Sequence, residues 1–84
     1  MISNLDAFKN KMLADEEATY GYIIPEVRTV IESKIQTLKT QAQNINPKNE
    51  AQLIRPLQAA IKGNYDITAT YLALGEFEKT LSNI

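Results

Sequence analysis

Val27, Ile31, Ile35, Leu38, Ala42 and Ile45 recur at spacings of four, four, three, four and three. A helix completes a turn every ~3.6 residues, so these side chains fall on one line of a helix but scatter over both faces of a strand. The line is narrow, close to a coiled-coil seam, and other apolar helical faces must cover it. Pro25 sets its beginning. Proline lacks an N–H and has a fixed φ, which suits the first turn of a helix and biases Ile24 to an extended shape. A helix is predicted from about Pro25 to Gln43, with Glu32, Ser33, Lys34, Gln36 and Lys39 mostly in water.

The rest of the chain supplies partners for that seam. Leu5, Phe8 and Met12 share a face at helical spacing, joined by Leu13. Ser3, with Asp6 three residues on, resembles a capping box. The acidic run Asp15-Glu16-Glu17 either continues this helix on its wet side or opens another turn, and Gly21 ends it. After the turn "NINPKNE", in which Asn46 or Asn49 can cap, Leu53, Leu57, Ala60 and Ile61 form a further apolar face. Pro56 falls inside that face, so the helix either kinks there or becomes regular only near Arg55. Gly63-Asn64 closes it. Ile67, Tyr71, Leu74, Phe77, Leu81 and Ile84 make the last stripe, with Asp66 or Asn64 as its cap. "YDITATYL" alternates like a strand, but its apolar line runs on smoothly to Ile84, which favours helix.

The stretches "GNYDIT" (Gly63 to Thr68) and "GEFEKT" (Gly75 to Thr80) echo each other twelve residues apart. Twelve steps of ~100° leave Tyr65 and Phe77 about 120° apart on one straight helix. A structural repeat would therefore need each glycine to mark a turn. Gly63 fits that role, whereas Gly75 lies in mid-pattern at a cost of about 1 kcal/mol against alanine if it stays helical.

These elements make one all-α domain over residues 1–84, a small antiparallel bundle of three or four helices with short loops. With 84 residues the chain buries only roughly 60–65% of its unfolded surface, so association with a copy or a partner would help it. There is no cysteine to supply a disulfide or thiolate metal site. Nine basic and ten acidic residues are spread evenly, for a net charge of −1. That balance speaks against a nucleic-acid partner, which polycationic surfaces bind. The N-terminal stretch lacks an apolar core of signal-peptide length, and no segment approaches the ~20 apolar residues of a membrane span. A cytoplasmic location is expected, with signal-independent secretion left open.

The chemistry is sparse. Histidine is absent, like cysteine, which removes the commonest general base, the usual transition-metal ligands and the thiol nucleophile. Asp15, Glu16 and Glu17 are adjacent and do not face one another on a helix, and the same holds for Glu76 and Glu78. Calcium loops, phosphate loops and nucleophile elbows are missing. No catalytic residue, cofactor, metal or small-molecule substrate is inferred, and the expected function is not enzymatic. Lys48, Arg55 and Lys62, spaced by seven, form either a solvated stripe or a site for phosphates or an acidic partner, and solvation is the simpler account. Tyr20 and Tyr22 are expected to fold back over the core rather than to bind. Tyr65 and Tyr71 read as residues at the core's edge.

Two resemblances stand beside this reading. Tyr71, Leu74-Gly75, Thr80 and Ile84 look like part of a tetratricopeptide repeat, although Thr80 replaces the usual alanine, Thr68 stands where an earlier glycine belongs, and no second repeat follows. In "PKNEAQLIRPLQAAI", Pro47, Asn49, Ala51, Leu53, Leu57-Gln58 and Ile61 are similar to the turn and second helix of type III secretion needle subunits. That alignment needs a one-residue shift and fails after Gly63. The first likeness implies a helical hairpin, the second a subunit that self-assembles.

The function expected from these residues is a protein–protein interaction module acting by helix-face docking: an adaptor, regulator or chaperone-like protein of bacterial or phage type. Its candidate contact residues are Ile31, Ile35 and Leu38 on the long seam, and Tyr71, Leu74 and Phe77 near the C-terminus. The partner is either another protein or a second copy.

Overall fold

The computed structural model describes residues 1–84 and contains four helices: α1 (Ile2–Tyr20), α2 (Pro25–Ala42), α3 (Pro47–Lys62) and α4 (Ile67–Ser82). Most boundaries have a local cause. α1 begins at Ile2 with no side-chain cap, two residues earlier than a Ser3 cap would place it. Asp6 does not complete a capping box, because its carboxylate is engaged by Lys39 Nζ at 2.9 Å. Gly21 ends α1 at φ 83°, and its N–H donates to Glu17 O at 2.8 Å, a left-handed glycine stop. Ile24 is extended and Pro25 occupies the first turn of α2. Asn46 caps α3, its Oδ1 accepting from the Lys48 N–H at 2.9 Å. Asp66 caps α4 by accepting from the Ala69 N–H at 2.8 Å.

Two expectations in the second half of the chain are narrowed. Of the two alternatives at Pro56, a start near Arg55 is excluded, because α3 is helical from Pro47 through Pro56 to Lys62. Gln52, four residues before the proline, loses a donor to its carbonyl but is exposed to water. At the end of α3 the left-handed residue is Asn64, at φ 49°, and not Gly63. Tyr65 N–H bonds Ala60 O at 3.0 Å and Asn64 N–H bonds Ile61 O at 3.2 Å, the pair of reversed bonds that defines a Schellman stop. Gly63 serves space instead. A Cβ there would lie 2.9 Å from both the Ala59 carbonyl and the Tyr65 ring.

Gly75 stays inside a continuous α4, so the two echoing stretches are unlike in structure. One is a helix stop and restart, while the other is mid-helix. Tyr65 lies in the turn and Phe77 is fully buried.

All four helices contribute to one apolar cluster, which includes Leu5, Phe8, Met12, Ile35, Leu53, Leu57 and Phe77. The α2 seam is buried at Ile31, Ile35, Leu38 and Ala42, with Val27 and Ile45 half-covered at its ends. The α4 face is rotated from the expected stripe. It buries Thr70, Ala73, Leu74 and Phe77, which leaves Tyr71 and Ile84 partly outside. The arrangement is uneven. α1 packs against all three other helices and α3 packs against α4, but α2 is held closely by α1 alone.

Candidate functional site

The uneven packing opens a groove between α2 and α4. Pro25 starts α2 on the far side of an exposed turn, and the four- and three-residue spacing points its seam at α1. Val27 and Val30 are then left on the flank that looks toward α4. Across the gap stand Tyr71 and Leu74, and Met12 of α1 forms the floor. The groove holds about 290 Å³. Its rim is charged, with Glu26 and Lys34 both on the α2 side. Lys34 reaches Glu78 of α4 at 3.5 Å, the single ion pair across the gap, and both side chains are well exposed. A pair so wetted contributes little. Toward the α1–α2 turn the apolar surface continues over Tyr20, Tyr22, Ile24 and Val27. Both tyrosines are more than 60% exposed and do not fold over the core.

The six candidate contact residues separate sharply. Ile31, Ile35, Leu38, Leu74 and Phe77 are each at most 5% exposed, and they hold the bundle together. Ile31 and Leu74 still show an edge to the groove. Tyr71 alone is open, at 38%. A partner reading the seam itself would have to open the fold, whereas one reading Tyr71 would not. Val30, at 63% exposure, escaped the sequence reading because it lies one position off the seam. The available signal was its place three residues after Val27 and four before Lys34, beside the stripe rather than on it.

Tyr71 is fixed by chemistry as well as by position. Its hydroxyl donates to Glu16 Oε1 at 2.7 Å, tying α4 to α1 at the end of the groove. Partial burial, and then the hydrogen bond to the Glu16 carboxylate, push the phenol above its usual range. The neutral ring is thus the form the groove presents. Asp6 shifts the other way. The hydrogen bond from Lys39 holds its carboxyl below the ordinary aspartate value.

A second polar cluster lies on the opposite flank of α1. Lys11 Nζ donates to Asp15 Oδ1 at 2.8 Å and to the Tyr65 carbonyl at 2.6 Å. The Thr70 hydroxyl donates to Asp15 Oδ2 at 2.7 Å and lies 2.9 Å from the Asp66 carbonyl. Thr70 is fully buried, and no buried side-chain polar atom lacks a partner. Asp15, expected on the wet side, therefore turns inward to lock α1 onto the α3–α4 turn. With every group satisfied, this cluster is structural. Lys48, Arg55 and Lys62 are exposed along α3. No three acidic, histidine or cysteine side chains converge as metal ligands, and no helix is long and apolar enough to cross a membrane. No protein-family model, curated protein or solved structure matches the chain.

Proposed function

We propose that the protein is a non-enzymatic, helical protein–protein interaction module that receives an amphipathic helix in the groove between α2 and α4. The observation that carries this reading is the pairing of Val30 and Tyr71 as exposed apolar side chains on facing helices over a buried methionine floor. An amphipathic helix laid into an apolar groove is a recurrent mode of recognition. Tyrosine at the lip suits it, since a large amphipathic ring contributes much contact area for few rotatable bonds. The role is that of a cytoplasmic adaptor, regulator or chaperone-like protein of bacterial or phage type. The exposed lysines and arginine of α3 are a solvated stripe on a chain of net charge −1, which gives nucleic acid little to hold.

The test is a photo-crosslinking residue placed at position 30, with position 55 on α3 as control, irradiated in the cells that make the protein. A discrete adduct from position 30 and none from position 55 is expected. Equal labelling from both positions, or none from position 30, would sink the reading.

A further inference from the structure

The order of charges along α2 says what fits the groove. Glu26 and Lys34 lie four residues before and four residues after Val30. Four residues are ~400° and ~6 Å, so the two charges flank Val30 about 40° to either side, ~12 Å apart along the axis. A two-fold axis beside Val30 turns this α2 into an antiparallel α2 and brings each Glu26 level with the other copy's Lys34. With the axes crossed so that the i, i±4 ridges of the two helices lie alongside each other, the commonest helix packing, opposite charges meet at both ends of a Val30–Val30 contact, and the pattern is complementary to itself. Isologous interfaces require this property. Neither charge is committed elsewhere. Glu26 has no ion pair in the folded chain, and Lys34 has only the wet 3.5 Å contact with Glu78.

A second observation comes from α4, beside the residues that line the groove. Gly75 lies one turn after Tyr71 and three residues before Glu78, on the same side of α4. It sits in mid-helix, and a Cβ built there has nothing within 4 Å. Packing within the chain therefore gives no reason for the missing side chain, whereas close approach of a second backbone does. The other exposed apolar patch, around Leu72 and Tyr65 on the outer side of α3 and α4, is bordered only by Glu76 and has no such self-complementary charge.

We propose that the occupant of the groove is α2 of a second copy, docked antiparallel about Val30, so that the chain acts as a symmetric dimer. This rests on the groove being a docking site at all, and the experiment keeps the two apart. Molar mass is followed by sedimentation over a dilution series. The wild-type chain is expected to pass from dimer to monomer. Lys34→Glu sets Glu26 against a glutamate twice per dimer and shifts the midpoint at least about tenfold upward, as does Glu26→Lys by the converse repulsion. Mixing these two variants restores both opposite-charge contacts, so the mixture dimerises near the wild-type midpoint although neither variant does so alone. Misfolding cannot produce that rescue. Gly75→Leu, for which the monomer has room, weakens the dimer while leaving the helical circular-dichroism signal intact.

A wild-type chain that stays monomeric throughout overturns the inference, as does a dimer indifferent to the charge variants or a mixture no tighter than its components. The position-30 crosslink then reports separately on the groove. An adduct of twice the chain's mass belongs to the dimer. An adduct of any other single mass leaves the groove standing with a different occupant and removes the self-docking. Steady growth to filaments also counts against a closed two-fold pair.

Discussion

The α3–α4 hairpin and the α1–α2 hairpin are built from helices of similar length, yet one is closed and the other is not. α3 and α4 meet through a Schellman stop at Asn64 and a capped restart at Asp66, and Lys11 of α1 clamps the turn between them. Both helices also rest on α1. In the other hairpin, Tyr20, Tyr22 and Ile24 stand in water around Gly21, and α2 touches α1 closely but little else. The difference shows that a helix can bury a complete seam and still leave a neighbouring flank without cover. Four helices around a core of 14 buried residues do not enclose each other on every side. The uncovered flank is where the groove lies.

The strongest way to break this comparison is to truncate one apolar side chain on each side of it. Leu57→Ala in α3 removes a fully buried side chain and should cost about 2–5 kcal/mol, a large share of a small domain's stability. Val30→Ala on the open flank should stay within about 0.5 kcal/mol. Urea midpoints measured on dilute, monomeric protein check both. Comparable losses would mean that α2 is as enclosed as α3.

Next in size is the clamp. Thr70→Val keeps the shape but removes the donor to Asp15, whose side chain is only 14% exposed, so a loss of about 1–2 kcal/mol is expected. An unchanged midpoint would show that Asp15 turns to water without penalty and that the closed hairpin does not depend on it. Gly75→Ala should act in the opposite sense. In dilute protein it should raise stability by about 0.5–1 kcal/mol, because the added methyl meets only open space and alanine is the better helix former. A loss there would reveal a strain not visible in the packing.

The smallest effects belong to pH and separate two of the ties that α1 makes. The Asp6 carboxyl is depressed by its bond from Lys39 of α2. An acid whose folded value lies below its unfolded one stabilises the fold above about pH 4, and that contribution is lost as pH falls through the folded value. Asp6→Asn should flatten the acid limb of the stability profile. Tyr71 is raised, by burial first and by Glu16 second. Its contribution is complete below about pH 10 and declines as pH climbs further, since the unfolded chain ionises the phenol first. Tyr71→Phe should therefore flatten the alkaline limb. Profiles that are identical for variant and parent at either end would remove the corresponding tie.

Much of this was legible in the residues because its causes are local. Pro25, Gly21, Asn46 and Asp66 act through their own backbone or through an N–H two or three residues away, and each marks a helix end where the sequence indicates. The seam of α2 was legible because a period of 3.6 needs no knowledge of the partner. The rotated face of α4 was not. Thr70 can occupy a core position only because Asp15, 55 residues earlier, and the Asp66 carbonyl satisfy its hydroxyl. Tyr71 then stands at the core's edge, as its amphipathic ring had indicated. Pro56 and Gly75 left questions open for the converse reason, since each carries a local penalty that a packed helix absorbs.

By itself, then, the order of residues indicated which stretches are helical, marked several helix ends, and left no histidine or thiol chemistry on hand. These depend on short-range bonding and on composition. Only tertiary structure decided which flank of α2 stays bare, that five of the six expected contact residues are spent inside, and that Val30 and Tyr71 face one another across an open gap. Such facts depend on how many neighbours each helix has, and no single stretch of chain contains that information.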